Sequence, residues 1–355
     1  MRRFLYSIMS GQRKDWISFL VGIPLFILSL IYGMIVRVIF VCYSSGILPR
    51  RKLNVPVISI GNLTMGGVGK TPMAIFVARM LKVKKFKPVI LTRGYMPRSM
   101  AQDSGQVEYV SDEAQVLREM LEDIPVVVHP DRHKGGMEAI DRYDPDVIIL
   151  DDGFQHWRLF RDLEIVLIDA VNPFGNGHLL PLGILREPFS SLKRADLLIL
   201  TKTDRVDTGE LKKRLQLRCP GIPVIETAHR PRSLTNVYTK EIRSLTEIVR
   251  PVVAFCGIGD PLSFKSMLVS LCADVKEFVH FMDHHTYCAQ DMDDLRNICD
   301  VLGIRTVITT RKDAVKLNVF KEKWQGYDIL ALNIEIDITQ GQREFIDRID
   351  RLQHS

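Results

Sequence analysis

The segment from Gly61 to Pro72, GNLTMGGVGKTP, constrains the fold more than any other part of the chain. It follows the apolar run of residues 55–60, which is typical of a buried strand, and it precedes residues 73–81, which favour a helix. A strand, a glycine-rich turn, a Gly-Lys-Thr sequence and a helix in this order form a phosphate-binding loop. The order therefore predicts an α/β fold built around a nucleotide site.

The chemistry of a triphosphate explains why such a loop needs glycine, lysine and threonine. Backbone N–H groups at a helix N-terminus converge on phosphate oxygens only where no Cβ intervenes. Lys70 is predicted to reach the β- and γ-phosphates, and the Thr71 hydroxyl to ligate Mg²⁺. The common form of the loop begins with glycine, and Thr64 stands there instead. The residues predicted to bind the nucleotide are Thr64, Met65, Gly66, Gly67, Val68, Gly69, Lys70 and Thr71.

Composition excludes several other classes of protein. The chain has 355 residues, 25% of them charged and 46% hydrophobic, which is ordinary for a globular protein of one large or two modest domains. The net charge of +6 suits an anionic partner. No basic stripe interleaved with aromatic residues indicates nucleic acid. The cysteines form no Cys-x-x-Cys pair, so neither a zinc site nor a redox motif is predicted, and we expect them to be reduced.

The N-terminal region contains a long apolar run. Residues 16–36 carry no charge, which matches the roughly 20 residues that cross a bilayer core. The length of the run disfavours a cleaved signal peptide. Basic residues on both sides leave the orientation undecided, so a spanning helix and a helix lying in the membrane interface both stay open. A buried core helix is the remaining alternative.

After the loop, short apolar strands alternate with amphipathic helices, which predicts a parallel sheet covered on both faces. We expect a P-loop NTPase-like sheet wrapped by helices, with a smaller C-terminal α/β lobe and an N-terminal apolar membrane helix. The predicted domains are residues 1–45 for the membrane helix, 46–235 for the core and 236–355 for the smaller lobe.

Carboxylates follow the strand at residues 147–150. Asp151 and Asp152 lie where open α/β sheets place their ligands, and we expect one of them to hold Mg²⁺. Because Asp-Gly is also turn chemistry, a simple strand-ending turn is the alternative. Further candidates to contact substrate or phosphate are Arg93 after another strand, His156, and Arg186 in a long loop.

Three other groups have more than one interpretation. Asp112 opens a predicted helix, either as a cap or as a carboxylate base. His284 and His285 follow a predicted strand, either as a surface pair or as a functional pair. Residues 201–204, TKTD, resemble the base-reading motif of GTPases, although a helix cap explains them equally well.

Taken in order, these motifs resemble the tetraacyldisaccharide 4'-kinase family. The matching pieces are Gly61-Asn62 with GGVGKTP, Arg93-Gly94-Tyr95, Asp112-Glu113, DDGFQH from Asp151, residues 181–188, and Phe281 with Asp283-His284. Thr64 at the start of the loop is itself typical of this family. The resemblance covers nearly the whole chain.

The resemblance implies transfer of the ATP γ-phosphoryl to the 4'-hydroxyl of a tetraacylated glucosamine disaccharide 1-phosphate, giving lipid IVA, at the cytoplasmic side of the inner membrane. It also implies that Asp112 acts as base and that His284 orients or assists it. In the predicted domains these two residues fall in different lobes, which would have to close. ATP, Mg²⁺, the lipid A disaccharide and membrane lipids are the implied partners, without nucleic acid or an obligatory protein partner.

A membrane-associated switch ATPase is an alternative from another class. The phosphate-binding loop of such proteins carries a signature lysine before the paired glycines. Met65 occupies that position here, which argues against this alternative. A GTPase, based on residues 201–204, is the third interpretation.

Overall fold

The computed structural model describes residues 2–13, 15–94 and 112–354. Tyr95 lies outside them, and so do residues 107–110, which the sequence predicts to form a strand before Asp112. The chain forms two compact units. Unit 1 comprises Met1–Arg93, Asp123–Ala228 and Ile336–Ser355, and unit 2 comprises Gly94–Glu122 and His229–Glu335. These units differ from the sequence-based domains chiefly at residues 94–122, which group with the C-terminal part of the chain rather than with the core.

The strands are numbered in chain order across both units. They are β1 Val57–Asn62, β2 Pro88–Thr92, β3 Val126–Val128, β4 Val147–Asp151, β5 Leu163–Asp169, β6 Leu197–Thr201, β7 Val224–Asn236, β8 Ile242–Arg243, β9 Val252–Cys256, β10 Val275–His280, β11 Thr306–Thr310 and β12 Asp328–Gln340.

The α-helices are numbered in the same way. They are α1 Arg2–Met9, α2 Trp16–Ser44, α3 Lys70–Val83, α4 Asp112–Met120, α5 Arg132–Tyr143, α6 Gly209–Arg218, α7 Pro261–Ser270, α8 Ala289–Leu302, α9 Arg311–Ala314 and α10 Gln342–Asp350.

Unit 1 is built on a parallel sheet in the order β7-β6-β5-β1-β4-β2-β3. Every residue of β1, β2, β4 and β6 is buried, as expected for strands covered on both faces. The predicted P-loop sheet is therefore confirmed. Because β1 and β4 are neighbours, the loop after β1 and the carboxylates after β4 leave the same edge of the sheet.

Unit 2 contains the parallel strands β10-β9-β11-β12, followed by β7, with β8 antiparallel to β7. Apolar side chains cover both faces: Phe255 and Trp324 belong to one cluster, and Phe264 and Leu330 to the other. The predicted smaller α/β lobe is thus a sheet with its own core. The ends of β9, β10 and β11 carry the loops that matter for the site.

Within the described residues, α2 is the one helix long and apolar enough to cross a membrane, judged by length and composition. Its buried residues are Ser18, Ser29, Gly33 and Val36. Most of its large apolar side chains are exposed, among them Phe19 and Leu30. A buried core helix is therefore the wrong interpretation of this segment, because a core helix would bury those side chains.

Candidate functional site

The glycine-rich turn lies between β1 and α3, as the sequence order predicts. Gly66 has φ 118° and Gly69 has φ 90°, a left-handed backbone that a side chain would strain. Gly69 is the N-cap of α3, so Lys70 and Thr71 are its first two residues. The first N–H groups of a helix have no intrahelical acceptor, and the helix dipole favours an anion there. The turn therefore presents free N–H groups and a lysine at one point.

Lys70 is held in place by two acceptors. Its Nζ donates to Asn62 Oδ1 at 3.1 Å and lies 3.5 Å from Asp152 Oδ1. Asn62, fully buried at the end of β1, also donates from Nδ2 to the Thr64 carbonyl at 2.6 Å. Asn62 thus fixes both the lysine and the start of the turn. The sequence signal for this role is an amide side chain at the last position of an otherwise apolar strand.

The two aspartates at the end of β4, Asp151 in the strand and Asp152 directly after it, have different surroundings. Asp151 is buried, and its Oδ2 accepts from Thr92 Oγ1 at 3.4 Å. Asp152 is half-exposed, with a left-handed φ of 53°, a strained value for a non-glycine residue. Burial opposes its ionisation, but Lys70 and Arg186 outweigh that effect and hold the pKa of its carboxyl below the ordinary value. Mg²⁺ prefers oxygen ligands, such as these carboxylates and a threonine hydroxyl.

Close packing brings these carboxylates to the turn. A Cβ on Gly61 would lie 2.6 Å from the backbone nitrogen of Phe154, so no side chain fits at that position. Glycine therefore allows β1 to approach the residues that follow Asp152.

Arg132 is a residue of this region that sequence reasoning missed. It is the first residue of α5 and is 3% exposed. Its guanidinium donates to the carbonyls of Asp151 at 3.1 Å and His129 at 3.3 Å, and burial lowers its pKa to about 10. A buried arginine beside two carboxylates adds positive charge to the sheet edge. A basic residue directly after the Asp131 cap was the available signal.

The three predicted substrate contacts all lie in unit 1. Arg93 is exposed just after β2. Arg186 donates to Asp152 at 3.0 Å and to Gln155 Oε1 at 3.2 Å. His156 is partly buried, and burial followed by the charges of Arg132 and Arg161 lowers its pKa to about 4. His156 is therefore neutral at pH 7 and offers a hydrogen bond rather than a charge.

A second group of polar side chains lies in unit 2, where α4 meets the loop after β10. Glu113 Oε1 is 3.6 Å from His284 Nε2. Lys312 donates from Nζ to Asp283 Oδ1 at 3.0 Å and lies 3.2 Å from His284 Nε2. His284 has a left-handed φ of 60°. We refer to Glu113, Asp283, His284 and Lys312 as the unit 2 cluster. Asp112 opens α4 beside Glu113, and its side chain lies outside the described part of the structure.

The two consecutive histidines have different partners. His285 Nε2 lies 2.9 Å from Asp291 Oδ2, and its ring stacks on Phe281 with centroids 4.7 Å apart. His284 instead faces Glu113 and Lys312. A metal site made by both imidazoles therefore has no support, and no group of three potential metal ligands occurs in residues 2–13, 15–94 and 112–354.

Two expectations change. The α4 helix and His284 belong to one compact unit, because the chain enters unit 2 at Gly94 and leaves it after Glu122. The expectation that Asp112 and His284 lie in different lobes is therefore wrong.

The lysine of the TKTD sequence, Lys202, is buried and pairs with Asp169 at 2.5 Å. A lysine held in this way is part of the sheet edge, which weakens the GTPase interpretation.

Comparison with known proteins agrees with this geometry. The family model Tetraacyldisaccharide-1-P 4'-kinase matches residues 21–353. A Tetraacyldisaccharide 4'-kinase of Halothermothrix orenii is 34% identical, over 89% of this chain and 90% of that protein. One of Syntrophus aciditrophicus is 38% identical, over 86% of this chain and 87% of that protein.

A solved structure is also similar. The crystal structure of LpxK from Aquifex aeolicus in complex with ATP has a TM-score of 0.74 and 32% identity, and the match covers 94% of this chain and 99% of that one. On these matches, together with the phosphate-binding turn and the paired aspartates, the chain belongs to the tetraacyldisaccharide-1-P 4'-kinase family.

Proposed function

We propose that this protein transfers the γ-phosphoryl group of ATP to the 4'-hydroxyl of a tetraacylated glucosamine disaccharide 1-phosphate, giving lipid IVA. The observation that carries the proposal is Lys70, held between Asn62 and Asp152 at the N-terminus of α3, in a chain that matches this kinase family along most of its length. The relative from Aquifex aeolicus was crystallised in complex with ATP, which supports ATP as the donor.

On the nucleotide side, the backbone N–H groups of the turn and Lys70 bind the β- and γ-phosphates. Phosphoryl transfer depends mainly on positioning and on neutralising charge, and these groups supply both. Thr71 with Asp151 or Asp152 would hold Mg²⁺, whose charge offsets that of the phosphate oxygens. Arg186 and Arg132 add positive charge at the same edge, since both contact the aspartate pair or its backbone.

On the acceptor side, Asp112 removes the proton of the 4'-hydroxyl, and His284 orients or assists it. The unit 2 cluster supports this assignment, because it brings His284 to the first turn of α4, where Asp112 lies. Lys312 offsets the negative charge of Asp283 and Glu113. A carboxylate can take the proton of a hydroxyl in the transition state, and a neighbouring imidazole can tune its pKa.

The substrate's acyl chains require a membrane-facing surface, and α2 supplies it. The exposed apolar side chains of α2 would contact lipid. Another side of the same helix packs on the protein from Gly22 to Phe40, over about 27 Å. A helix with protein along one side and lipid along the other favours partial embedding from the cytoplasmic face of the inner membrane. Arg37, Arg50 and Arg51 suit anionic headgroups there.

The direct test is transfer of ³²P from γ-labelled ATP to a lipid A disaccharide acceptor, with and without Mg²⁺. We expect Mg²⁺-dependent labelling by the wild type and its loss in Lys70→Ala, since removal of one transition-state contact costs about 3 kcal/mol or more. Full transfer by a folded Lys70→Ala variant would refute the assignment of the ATP site. Preferential binding of GTP over ATP in a competition assay, with no labelling of the acceptor, would favour the GTPase interpretation.

The membrane assignment has its own test. Deletion of residues 1–45 should release the protein from membranes and lower activity on long-chain acceptors, because the exposed apolar face is then absent. Sedimentation with vesicles at high salt measures the first effect. A truncated protein that still sediments fully would place the anchor elsewhere.

A further inference from the structure

The α2 helix packs on the rest of unit 1 through small and polar side chains. Gly22, Ser29 and Gly33 are spaced by seven and four residues, which places them on one face of a helix. Ser29 Oγ donates to the Leu179 carbonyl at 2.9 Å, and a Cβ on Gly33 would lie 2.7 Å from the Leu179 side chain. Both contacts are made to the long loop that carries Arg186. A segment that served only as an apolar anchor would not need this fitted face.

The same loop continues into the phosphate-binding turn. The Arg186 N–H donates to the Leu63 carbonyl at 2.8 Å, and the Met65 N–H donates to the Ile184 carbonyl at 2.7 Å. Thr64 and Leu185 form an antiparallel bridge between these bonds. Residues 184–186 therefore support the start of the turn in the manner of a short strand, with α2 on the other side of the loop.

Tyr32 makes the most direct connection. Its hydroxyl donates to the Arg186 carbonyl at 2.9 Å. Arg186 is then bound at three points. The α2 helix binds its carbonyl, the turn binds its N–H, and Asp152 binds its guanidinium. The Oδ1 atom of Asp152 in turn lies 3.5 Å from Lys70 Nζ. The geometry links a helix that faces lipid to the lysine of the nucleotide site.

We propose that Tyr32 is a positioning residue for the nucleotide site, so that α2 is a structural part of that site as well as the anchor. The Tyr32 hydroxyl sets the backbone of Arg186, which in turn sets the guanidinium on Asp152 and the entry of the turn at Leu63. The expected change in KM for ATP rests on the kinase function proposed above. The expected change in amide exchange does not.

Tyr32→Phe in the full-length protein tests this proposal, because it removes one hydroxyl and keeps the apolar ring. Tyr43→Phe is the matched control: Tyr43 lies on the same helix with its ring against Trp157, centroids 6.3 Å apart. The measurements are sedimentation with vesicles of mixed neutral and anionic phospholipid, amide hydrogen exchange at Met65 and Arg186, and KM for ATP.

We expect Tyr32→Phe to sediment like the wild type. The amides of Met65 and Arg186 should exchange at least about threefold faster. KM for ATP should rise about three- to tenfold, in line with the loss of one hydrogen bond. Tyr43→Phe should match the wild type in all three. Wild-type exchange and KM in Tyr32→Phe would overturn the proposal. If no variant and no wild-type protein transfers phosphate, the proposed function fails, and the exchange rates alone still decide the role of Tyr32.

Discussion

The phosphate-binding turn of unit 1 and the unit 2 cluster are stabilised in different ways. Lys70 is 16% exposed and is held by a fully buried asparagine at the end of a buried strand. In the cluster, the side chains of Glu113, His284 and Lys312 are 35%, 52% and 24% exposed and meet through ion pairs between loops and helix ends. Exposed ion pairs contribute little stability, so the cluster can exchange partners at low cost. If the proposed roles are right, the nucleotide is bound by fixed side chains and the acceptor by side chains that can rearrange.

Within the unit 2 cluster and its neighbour Asp112, the largest expected effect is the loss of the proposed base and its partner. Asp112→Ala and His284→Ala should each lower kcat by about 10²-fold or more, in the range of acid–base catalysis. If the two act as one unit, the double variant should be little worse than the poorer single variant. KM for ATP should change little, because neither residue is assigned to the nucleotide.

A double-mutant cycle in kcat measures this coupling. Strictly multiplicative losses would mean that the two residues act independently. A parallel cycle with Glu113→Gln sharpens the result, because Glu113 is the carboxylate seen beside His284. Coupling of His284 to Glu113 and not to Asp112 would move the base by one residue.

A smaller effect is expected at Lys312. Its Nζ lies 3.2 Å from His284 Nε2, and an ammonium group can only donate, so we predict that Nε2 accepts from Lys312 and that the neutral imidazole carries its proton on Nδ1. Lys312→Met should lower kcat about tenfold and abolish that tautomer preference, which ¹⁵N NMR of the histidine ring detects. Lys312→Arg should retain part of both.

Lys321→Met, at an exposed lysine of the same unit, is the control and should behave like the wild type. A lowered kcat with an unchanged tautomer in Lys312→Met would mean that the lysine acts by its charge alone. The distance between Lys312 and His284 would then matter less than the positive charge of the lysine.

The smallest effect concerns stability on the unit 1 side. The pKa of His156 falls from 6.5 to about 4 on folding, mainly through burial. Below pH 6.5 the unfolded chain binds a proton that the folded chain does not, so the free energy of unfolding decreases as the pH falls toward 4, by about 1 kcal/mol once solvent screening of this partly exposed imidazole is allowed for.

His156→Gln cannot titrate and should lose this part of the pH dependence. Denaturant unfolding at pH 8 and pH 4.5 measures it, with the pH 8 values serving as the reference for any direct effect of the substitution. An equal loss of stability in variant and wild type on acidification would contradict a buried, neutral His156.

The nucleotide side could be predicted from sequence because its parts are local. A strand, a glycine turn and Lys70 follow one another along the chain, and the aspartates directly follow the neighbouring strand. The sheet could be predicted for the same reason, because each of its buried strands is a short apolar run that can be read locally. The partners of these residues were harder to find, because Asn62 and Arg132 act through hydrogen bonds that no spacing encodes.

The acceptor side was only partly predictable. The unit 2 cluster is assembled from α4, the loop after β10 and α9, and Lys312 is 28 positions from His284 in the chain. The roles of Asp112 and His284 were inferred from family resemblance and stay predictions, and sequence reasoning missed Lys312 beside His284. The sequence-based domains also kept residues 94–122 with the core, whereas the structure groups that segment with the C-terminal unit.

We propose that different residues bind the nucleotide and activate the acceptor. Equilibrium binding of a fluorescent ATP analogue to Lys70→Ala and to His284→Ala, alongside turnover of both, tests it most directly. We predict that Lys70→Ala loses at least about tenfold in nucleotide affinity together with its turnover. His284→Ala should bind the nucleotide within about twofold of the wild type and still lose turnover. An equal loss of nucleotide affinity in both variants would contradict the account.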